Sequence, residues 1–561
     1  MPPAMPLHDE RPSFRALDAW PGIGFALLYL LTLSRTLSVT HDSALFLRPI
    51  ETLRPALVPN HLWFEPIMTS AYQLLMLVWP DIGAQRASEA VNALAGAMAL
   101  QAAYAIAVGR IGLTRRQAAL TVACAGFTYG VWYYSIAIET YALPLALTAW
   151  TFYGITSRGA RWPVVLGCAV GHSVAILCHQ SAVLFGAVAI GALLSDDGPW
   201  RSRLTRASAY VVVCALLVGG AYATAVISTG YGQSVGRAVR WSVGHLPRRN
   251  FWSRPPRAFV QAAAGATRAL VGGQFVFAVP SLATRIDRWF PRNDPVDERF
   301  FVRTVTPSMA WLFAGLSTVA LASMGALMIM AAWTIWLTGF RAVGRVTALL
   351  AMWLAMYCGF FTFWDPANPD FWVVQVYLAP LLAMAVLGRV PPAPIRPARV
   401  QTVLFLALVS SLLVVNGFGT VRLASDPAND YYAVYLRSVA RELEAGDVLI
   451  LGDHWPIRTH LERLPVDAVF LSVEIAGVSP AALAAKVRGL VDAGRRVFVA
   501  PDFVEVTSVA RTSYGPRYVA YVQRLRGLIC GLGPPRGGRD EMALREVTCF
   551  DGQVVSHTSP R

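Results

Sequence analysis

The run 20-WPGIGFALLYLLTLSRTL-37, followed at once by 38-SVTHDSALFLRPIETLRPALVPNHLWFEP-66, sets the reading of the whole chain. The first stretch holds no acid and only Arg35, whereas the second brings in His41, Asp42, His61 and Glu65. An apolar run of about 17–25 residues crosses a bilayer, so polar chemistry that begins where such a run stops belongs to the membrane–water boundary. The run has no A-x-A-like cleavage site and further apolar runs follow it, which reads as a retained first helix rather than a removed signal.

Composition extends this to the full chain. Its 561 residues are 55% hydrophobic and 14% charged, with a mean hydropathy of +0.48. A soluble protein of this length needs more charge to cover its surface, so the chain reads as a polytopic membrane protein. The net charge of +15 is almost all arginine, Lys486 being the one lysine. These arginines cluster between apolar runs, a pattern that serves lipid headgroups and topology and excludes nucleic acid as a partner. Cys124, Cys168, Cys178, Cys214 and Cys358 fall in apolar spans, whereas Cys530 and Cys549 lie in the polar tail, where an oxidising compartment would allow them to pair. No CxxC or CxxH spacing suggests a metal.

Spans are expected at 20–37, 87–109, 117–136, 140–157, 162–178, 179–194, 207–229, 308–338, 346–363, 371–388 and 400–421. The stretch 65-EPIMTSAYQLLMLVWP-80, bounded by Pro66 and Pro80, reads as an amphipathic helix along the interface. With the N-terminus in the cytoplasm, the loops 110-RIGLTRRQ-117, 158-RGAR-161, 195-SDDGPWRSRLTR-206, 339-GFRAVGR-345 and 389-RVPPAPIRPAR-399 are all cytoplasmic and all basic. The opposite short loops, 137-AIE-139 and 364-WDPANPD-370, hold Glu139, Asp365 and Asp370 and no arginine. Counting 65–80 as a span would turn every later basic loop outward. The expected fold is therefore a polytopic α-helical membrane protein of about eleven transmembrane helices with a C-terminal soluble α/β domain.

The membrane domain covers 1–424, with outer loops 38–86 and 230–307; the second domain covers 425–561. The loop 230–307 is rich in arginine. Its segment 256-PRAFVQAAAGATRALVGG-273 reads as an amphipathic helix on the outer leaflet, and most of its arginines read as adhesion to anionic lipid. In the tail, 447-DVLILG-452, 467-DAVFLS-472 and 497-VFVAPD-502 read as buried strands alternating with helical patterns such as 479-SPAALAAKVRGLVDAGR-495, a small parallel α/β arrangement. In 452-GDHWP-456 no glycine-rich phosphate fingerprint accompanies Asp453 and His454, which read as loop residues.

Several pieces together resemble the GT-C superfamily of integral-membrane glycosyltransferases, and within it the bacterial protein O-mannosyltransferase-like proteins. They are 41-HDS-43 with 61-HLWFEP-66, the entry 86-RASEAVN-92, 135-SIAIETYALPLAL-147, 167-GCAVGHSVAILCHQSAVL-184 and 361-FTFWDPANPDFW-372, within residues 20–390. Where that family carries a His-Pro-Pro-Gly-Tyr-Pro-like run, this chain has 60-NHLWFEP-66. The resemblance implies a multi-pass protein of the bacterial inner membrane. It also implies inverting transfer of a sugar from a polyprenyl-phosphate-linked donor to an acceptor (protein, glycan or lipid) at the extracytoplasmic face, where the C-terminal domain also lies.

That reaction needs a base for the acceptor hydroxyl, and Asp42 matches the family's loop acid; its bland reading is a helix-end aspartate. Glu139, at a helix start, orients the acceptor or pairs with an arginine. The leaving phosphate needs positive or hydrogen-bonding partners, for which Arg86 and His179 are the candidates. His41, His61 and Glu65 join from the first loop. Asp365, Asn368 and Asp370 either line the vestibule or form a polar hairpin punctuated by Pro366 and Pro369. His172 reads as a packing residue, and Asn92 as a helix–helix hydrogen bonder. No cofactor is implied, and isolated carboxylates specify no divalent ion. A transporter or flippase of a lipid-linked substrate is the alternative, although no internal repeat supports it.

Overall fold

Small residues build the centre of the structure, a computed structural model that describes residues 16–37, 41–244, 246, 251–289, 299–388, 398–451, 460, 469–472, 479–500, 520, 522–524, 526–536, 544–550 and 553–554. Two compact units form. The first takes residues 1–34, 49–273 and 311–425; the second takes 35–48, 274–310 and 426–561.

At the middle of the first unit is α4 (Ala84–Ile106), whose buried positions are mostly alanine and glycine. Helices with small residues on their faces approach closely, which in a bilayer replaces the missing hydrophobic drive with van der Waals contact. A Cβ on Gly96 would overlap the Ser135 side chain, so this glycine sets the separation from α6. Around α4 pack α1 (Trp20–Leu31), α3 (Phe64–Val78), α5 (Arg115–Gly126), α6 (Tyr129–Ile136) and α7 (Ala142–Ile155). Beyond α7 come α8 (Trp162–Cys178), α9 (Phe185–Leu194) and α10 (Trp200–Ser228).

Among the described residues, six helices are long and apolar enough to cross a membrane: Ala84–Ile111, Trp200–Ser228, Pro307–Thr338, Gly344–Phe361, Pro369–Leu387 and Arg399–Ala424. Four shorter apolar helices accompany them: Trp20–Leu31, Ala142–Ile155, Trp162–Cys178 and Gln180–Leu194. The apolar windows of Ala84–Ile111 and Pro369–Leu387 are 78% buried, whereas that of α10 is 11% buried, so α10 presents its apolar surface outward. The stretch from Phe64 to Val78 is helical and is not among these spans.

Two expected spans are corrected. The run 117–136 is not one helix but α5 and α6, broken at Phe127 and Thr128, where the Thr128 hydroxyl caps α6 by accepting from Val131 N. A run of pure apolar periodicity hides such a break because a threonine cap costs no hydropathy. The first helix ends at Leu31, short of residue 37, with the Thr32 hydroxyl bonded back to Leu28 O.

The expected amphipathic helix of 256–273 forms as α12 (Arg257–Val271). One face packs on α6 and on residues 369–372, with Ala258, Ala262 and Ala269 buried, while Phe259 and Val260 stay exposed on the other. Gly265 makes this possible, since a Cβ there would overlap Pro366 O and the Trp372 ring. Between α10 and α12 lies α11 (Val235–Ser242). Next in chain order come α13 (Pro280–Trp289), α14 (Pro307–Thr338), α15 (Phe340–Phe361), α16 (Val373–Leu387) and α17 (Ala398–Asn416).

Basic loops are tied down where they meet helix ends. Asp196, 3% exposed, accepts from Arg206 at 2.9 Å and faces Arg345 at 3.5 Å. Arg115 pairs with Asp18 at 2.7 Å. A buried acid in such a place is tolerated because its charge is matched.

In the second unit a mixed sheet has the strand order β2-β1-β3-β5-β4, with β6 paired to β5. Strands β1 (Val448–Leu451), β2 (Val469–Ser472) and β3 (Val497–Val499) are parallel, with Val448 opposite both Val469 and Val497. The sheet then reverses: β4 (Ile529–Arg536), β5 (Leu544–Phe550) and β6 (Gln553–Val554) are antiparallel. The three strands expected from the tail are thus parallel, and the antiparallel strands that extend the sheet were not read from the sequence. The segment 529–536 contains two prolines and two glycines, which masks a strand pattern. Phe300, Tyr431, Tyr435, Leu449 and Phe498 share the core. Residues 452–456 and the sulfurs of Cys530 and Cys549 lie outside the described residues.

Candidate functional site

Four segments of the first unit bring polar and aromatic side chains into one continuous row. The first is the turn before α3. Trp63 N donates to Leu177 O at 2.8 Å and Tyr222 OH to Pro59 O at 2.5 Å, which pins the turn over the end of α8. His61 follows from this placement, its ring centroid 5.0 Å from that of His179. Glu65, 2% exposed, accepts from Ala56 N at 2.6 Å. Burial pushes its carboxyl up to about 7, against the lowering effect of the Ala56 amide.

The second segment is the joint after α8. His179 has extended backbone there and interrupts the helix before residues 180–184 turn on. Its Nδ1 accepts from Ser181 N at 3.2 Å and lies 2.6 Å from Ser181 Oγ. Because a backbone amide can only donate, the neutral ring carries its proton on Nε2. Burial holds the imidazole down at about 4, so it is uncharged near neutral pH.

The third segment is the joint between α6 and α7. Asn92 on α4 donates to Ala137 O and to Glu139 O, both at 2.8 Å, and so fixes the backbone on either side of Ile138. Glu139 is 1% exposed. Tyr141, two residues on, packs against His179 with ring centroids 4.9 Å apart, and against Tyr134 at 5.6 Å.

The fourth is the turn before α16. Tyr134 OH donates to Asp370 Oδ1, and Asn368 Oδ1 accepts from Asp370 N at 3.1 Å. Arg268 on α12 is within electrostatic reach of the Asp370 carboxylate. Phe371 faces Tyr141 at 6.2 Å and stacks on Phe361 at 5.0 Å. Asp365 adopts a left-handed φ of 42°, held by its N–H to Phe251 O at 2.7 Å. The row thus runs His61–His179–Tyr141–Tyr134–Asp370, from four places in the chain.

Of the residues singled out from the sequence, His61, His179 and Asp370 stand in this row, and Glu65, Glu139 and Asn368 adjoin it in sequence. Asn368 acts locally, capping its own turn. Arg86 is exposed on the first turn of α4, about 9 Å along the axis from Asn92. Asp42 is half-buried in the first turn of α2 (His41–Glu51), in a stretch that belongs to the second unit. The side chain of His41 is outside the described residues.

Sequence reasoning passed over Tyr134 and Tyr141, and grouped Arg268 with the outer-loop arginines as lipid adhesion. The first two had a signal in the aromatic run 129-YGVWYYSIAIETY-141, which places phenols on both sides of Glu139. Asn92, read as a helix–helix hydrogen bonder, holds the Glu139 backbone. His172 is a packing residue: its Nε2 bonds Ala182 O at 2.9 Å and its Nδ1 meets Tyr210 OH at 2.8 Å. Among the described residues, no group of three His, Cys, Asp or Glu side chains is arranged to hold a metal ion.

No family model matches the sequence, and no curated protein is similar to it. Solved structures are similar. ArnT from Cupriavidus metallidurans bound to undecaprenyl phosphate matches with a TM-score of 0.53 at 12% identity, over 97% of this chain and 99% of that one. The same protein in its apo state matches with a TM-score of 0.52 at 13% identity, over 98% and 100%. Identity this low carries the fold alone. The chain therefore shares the ArnT fold along nearly its whole length.

Proposed function

We propose that this chain is an integral-membrane glycosyltransferase that moves a sugar from a polyprenyl-phosphate-linked donor to an acceptor at the extracytoplasmic face of the bacterial inner membrane. The observation that carries the reading is the full-length fold match to a protein whose structure holds undecaprenyl phosphate. The polar and aromatic row described above, in the same chain, adds support.

In the inverting reaction the acceptor oxygen bonds to the anomeric carbon as the bond from that carbon to the phosphate oxygen breaks. The electron pair leaves on the polyprenyl phosphate, and the hydroxyl proton passes to a base. In this reading Asp42, in the loop motif 41-HDS-43, is the base. His179, uncharged near neutral pH with its proton on Nε2, is suited to donate a hydrogen bond to the leaving phosphate rather than to act as a fixed cation. In this reading Arg268 and Asp370 orient sugar hydroxyls, with the rings of Tyr141 and Phe371 supplying apolar faces.

Purified protein in vesicles with an undecaprenyl-phosphate sugar and a pool of acceptors tests this reading. Asp42→Asn is expected to abolish transfer while protein level and insertion stay normal. Full transfer by that variant removes Asp42 as the base. In vesicles without acceptor, lipid-linked substrate crossing the bilayer would replace the transferase with a flippase.

A further inference from the structure

A hollow of about 420 Å³ lies at the end of α10, lined by Thr229, Gly230, Tyr231, Arg237, Arg240 and Trp241. Its lining shares no residue with the row of His61, His179 and Asp370. We propose that this hollow binds the phosphate of an acidic phospholipid headgroup, with α11 lying in the interface of the bilayer.

Three observations lead there. First, α10 is an outward-facing apolar helix, with Leu216 70% and Ile227 75% exposed, so its surface meets lipid tails right up to the hollow. Second, α11 splits into two faces. Val235 and Val239, one turn apart, are 82% and 54% exposed and continue the apolar surface of α10. Arg237 and Arg240, three residues apart, share the hollow with Trp241. A short helix with valine on one side and arginine on the other fits the boundary between acyl chains and phosphates. Third, 229-TGYGQSVGRAVRWS-242 contains no acid, so neither arginine has a carboxylate within its own segment. The Arg237 guanidinium instead donates to the neutral Gln233 side chain.

The hollow is a built feature. Tyr231 and Trp241 stack at 5.8 Å, and Trp241 packs on Tyr222 at 6.4 Å. Ser234 caps α11 through Arg237 N at 3.3 Å. Gln180 Nε2 donates to both Ser242 O at 2.6 Å and Tyr222 OH at 2.8 Å, anchoring α11 to the residue next to His179. Tryptophan and tyrosine at headgroup depth are the usual company of such a contact.

The test uses delipidated full-length protein incubated with equal phosphatidylglycerol and phosphatidylcholine, with retained lipids counted by native mass spectrometry. Wild type is expected to retain phosphatidylglycerol preferentially. The R237Q/R240Q double variant should lose that preference about 10-fold, since each arginine near the surface contributes to anionic lipid attraction. R237K/R240K should keep most of it, and a thermal unfolding curve confirms that both variants are folded. Unchanged preference in R237Q/R240Q overturns the proposal. Undecaprenyl phosphate is the second probe: if the double variant loses that lipid while keeping phosphatidylglycerol, the hollow belongs to the carrier and the proposal is likewise overturned.

Discussion

Helix α8 and the joint just after it hold two histidines seven residues apart, and they live in different chemistry. His172 is inside the bundle with a carbonyl on one nitrogen and a tyrosine hydroxyl on the other. His179 stands where the helix stops, with Nδ1 satisfied by Ser181 and its ring flanked by those of His61 and Tyr141. Both rings are buried. The difference is that His172 joins α8 to its packing neighbours, whereas His179 belongs to a row of polar groups drawn from four segments. Burial alone therefore does not tell these two imidazoles apart; their partners do.

That contrast can be broken most sharply at His179. Under the proposed function, His179→Ala should lower kcat/KM for sugar transfer by about 10²-fold or more, as loss of one donor at a developing charge does. Its thermal stability should stay close to wild type. A variant that melts early and transfers normally when folded would make the two histidines equivalent. His172→Ala should do the reverse. The stranded Tyr210 hydroxyl and Ala182 carbonyl cost about 1–3 kcal/mol of stability, read from denaturation in micelles. Its kcat/KM at low temperature should remain near wild type.

The smallest effect is a pH dependence at Glu65. Its folded carboxyl titrates at about 7 against 4.5 when unperturbed, so the folded state holds the proton more tightly than the unfolded chain. The associated stability is fully present below about 4.5 and is lost as pH rises through about 7. His179, held down at about 4, acts oppositely: stability is lost as pH falls from 6.5 toward 4. Comparing wild type with Glu65→Gln cancels the histidine. The variant should gain roughly 2–4 °C in melting temperature relative to wild type between pH 5 and pH 8. A constant difference across that range would place Glu65 in contact with water.

Parts of this were legible in the sequence and parts were not. The joint at His179 showed itself because an apolar run longer than one span had to turn somewhere, and His179 was the polar residue at that point. The resting place of α12 did not: its pattern of alanine with arginine satisfies a lipid surface and a helix interface equally. Only the overlap a Cβ on Gly265 would make with Pro366 O shows that one face of α12 is a helix interface. The break at Thr128 was hidden because residues on both sides of it are apolar. Tyr134 and Tyr141 were passed over because aromatic residues are common in spans, and nothing local reveals that a phenol 236 residues before Asp370 will donate to it.

By itself the sequence determined that this chain meets a membrane many times, where most of the apolar helices lie, and which loops are basic or acidic. Those properties are local sums of side-chain hydropathy and charge, readable over one or two turns at a time. The row from His61 to Asp370 was decided by tertiary structure alone. It depends on how closely α4, α6, α8 and α12 approach, and that separation is set by glycines, caps and hydrogen bonds whose partners lie far along the chain.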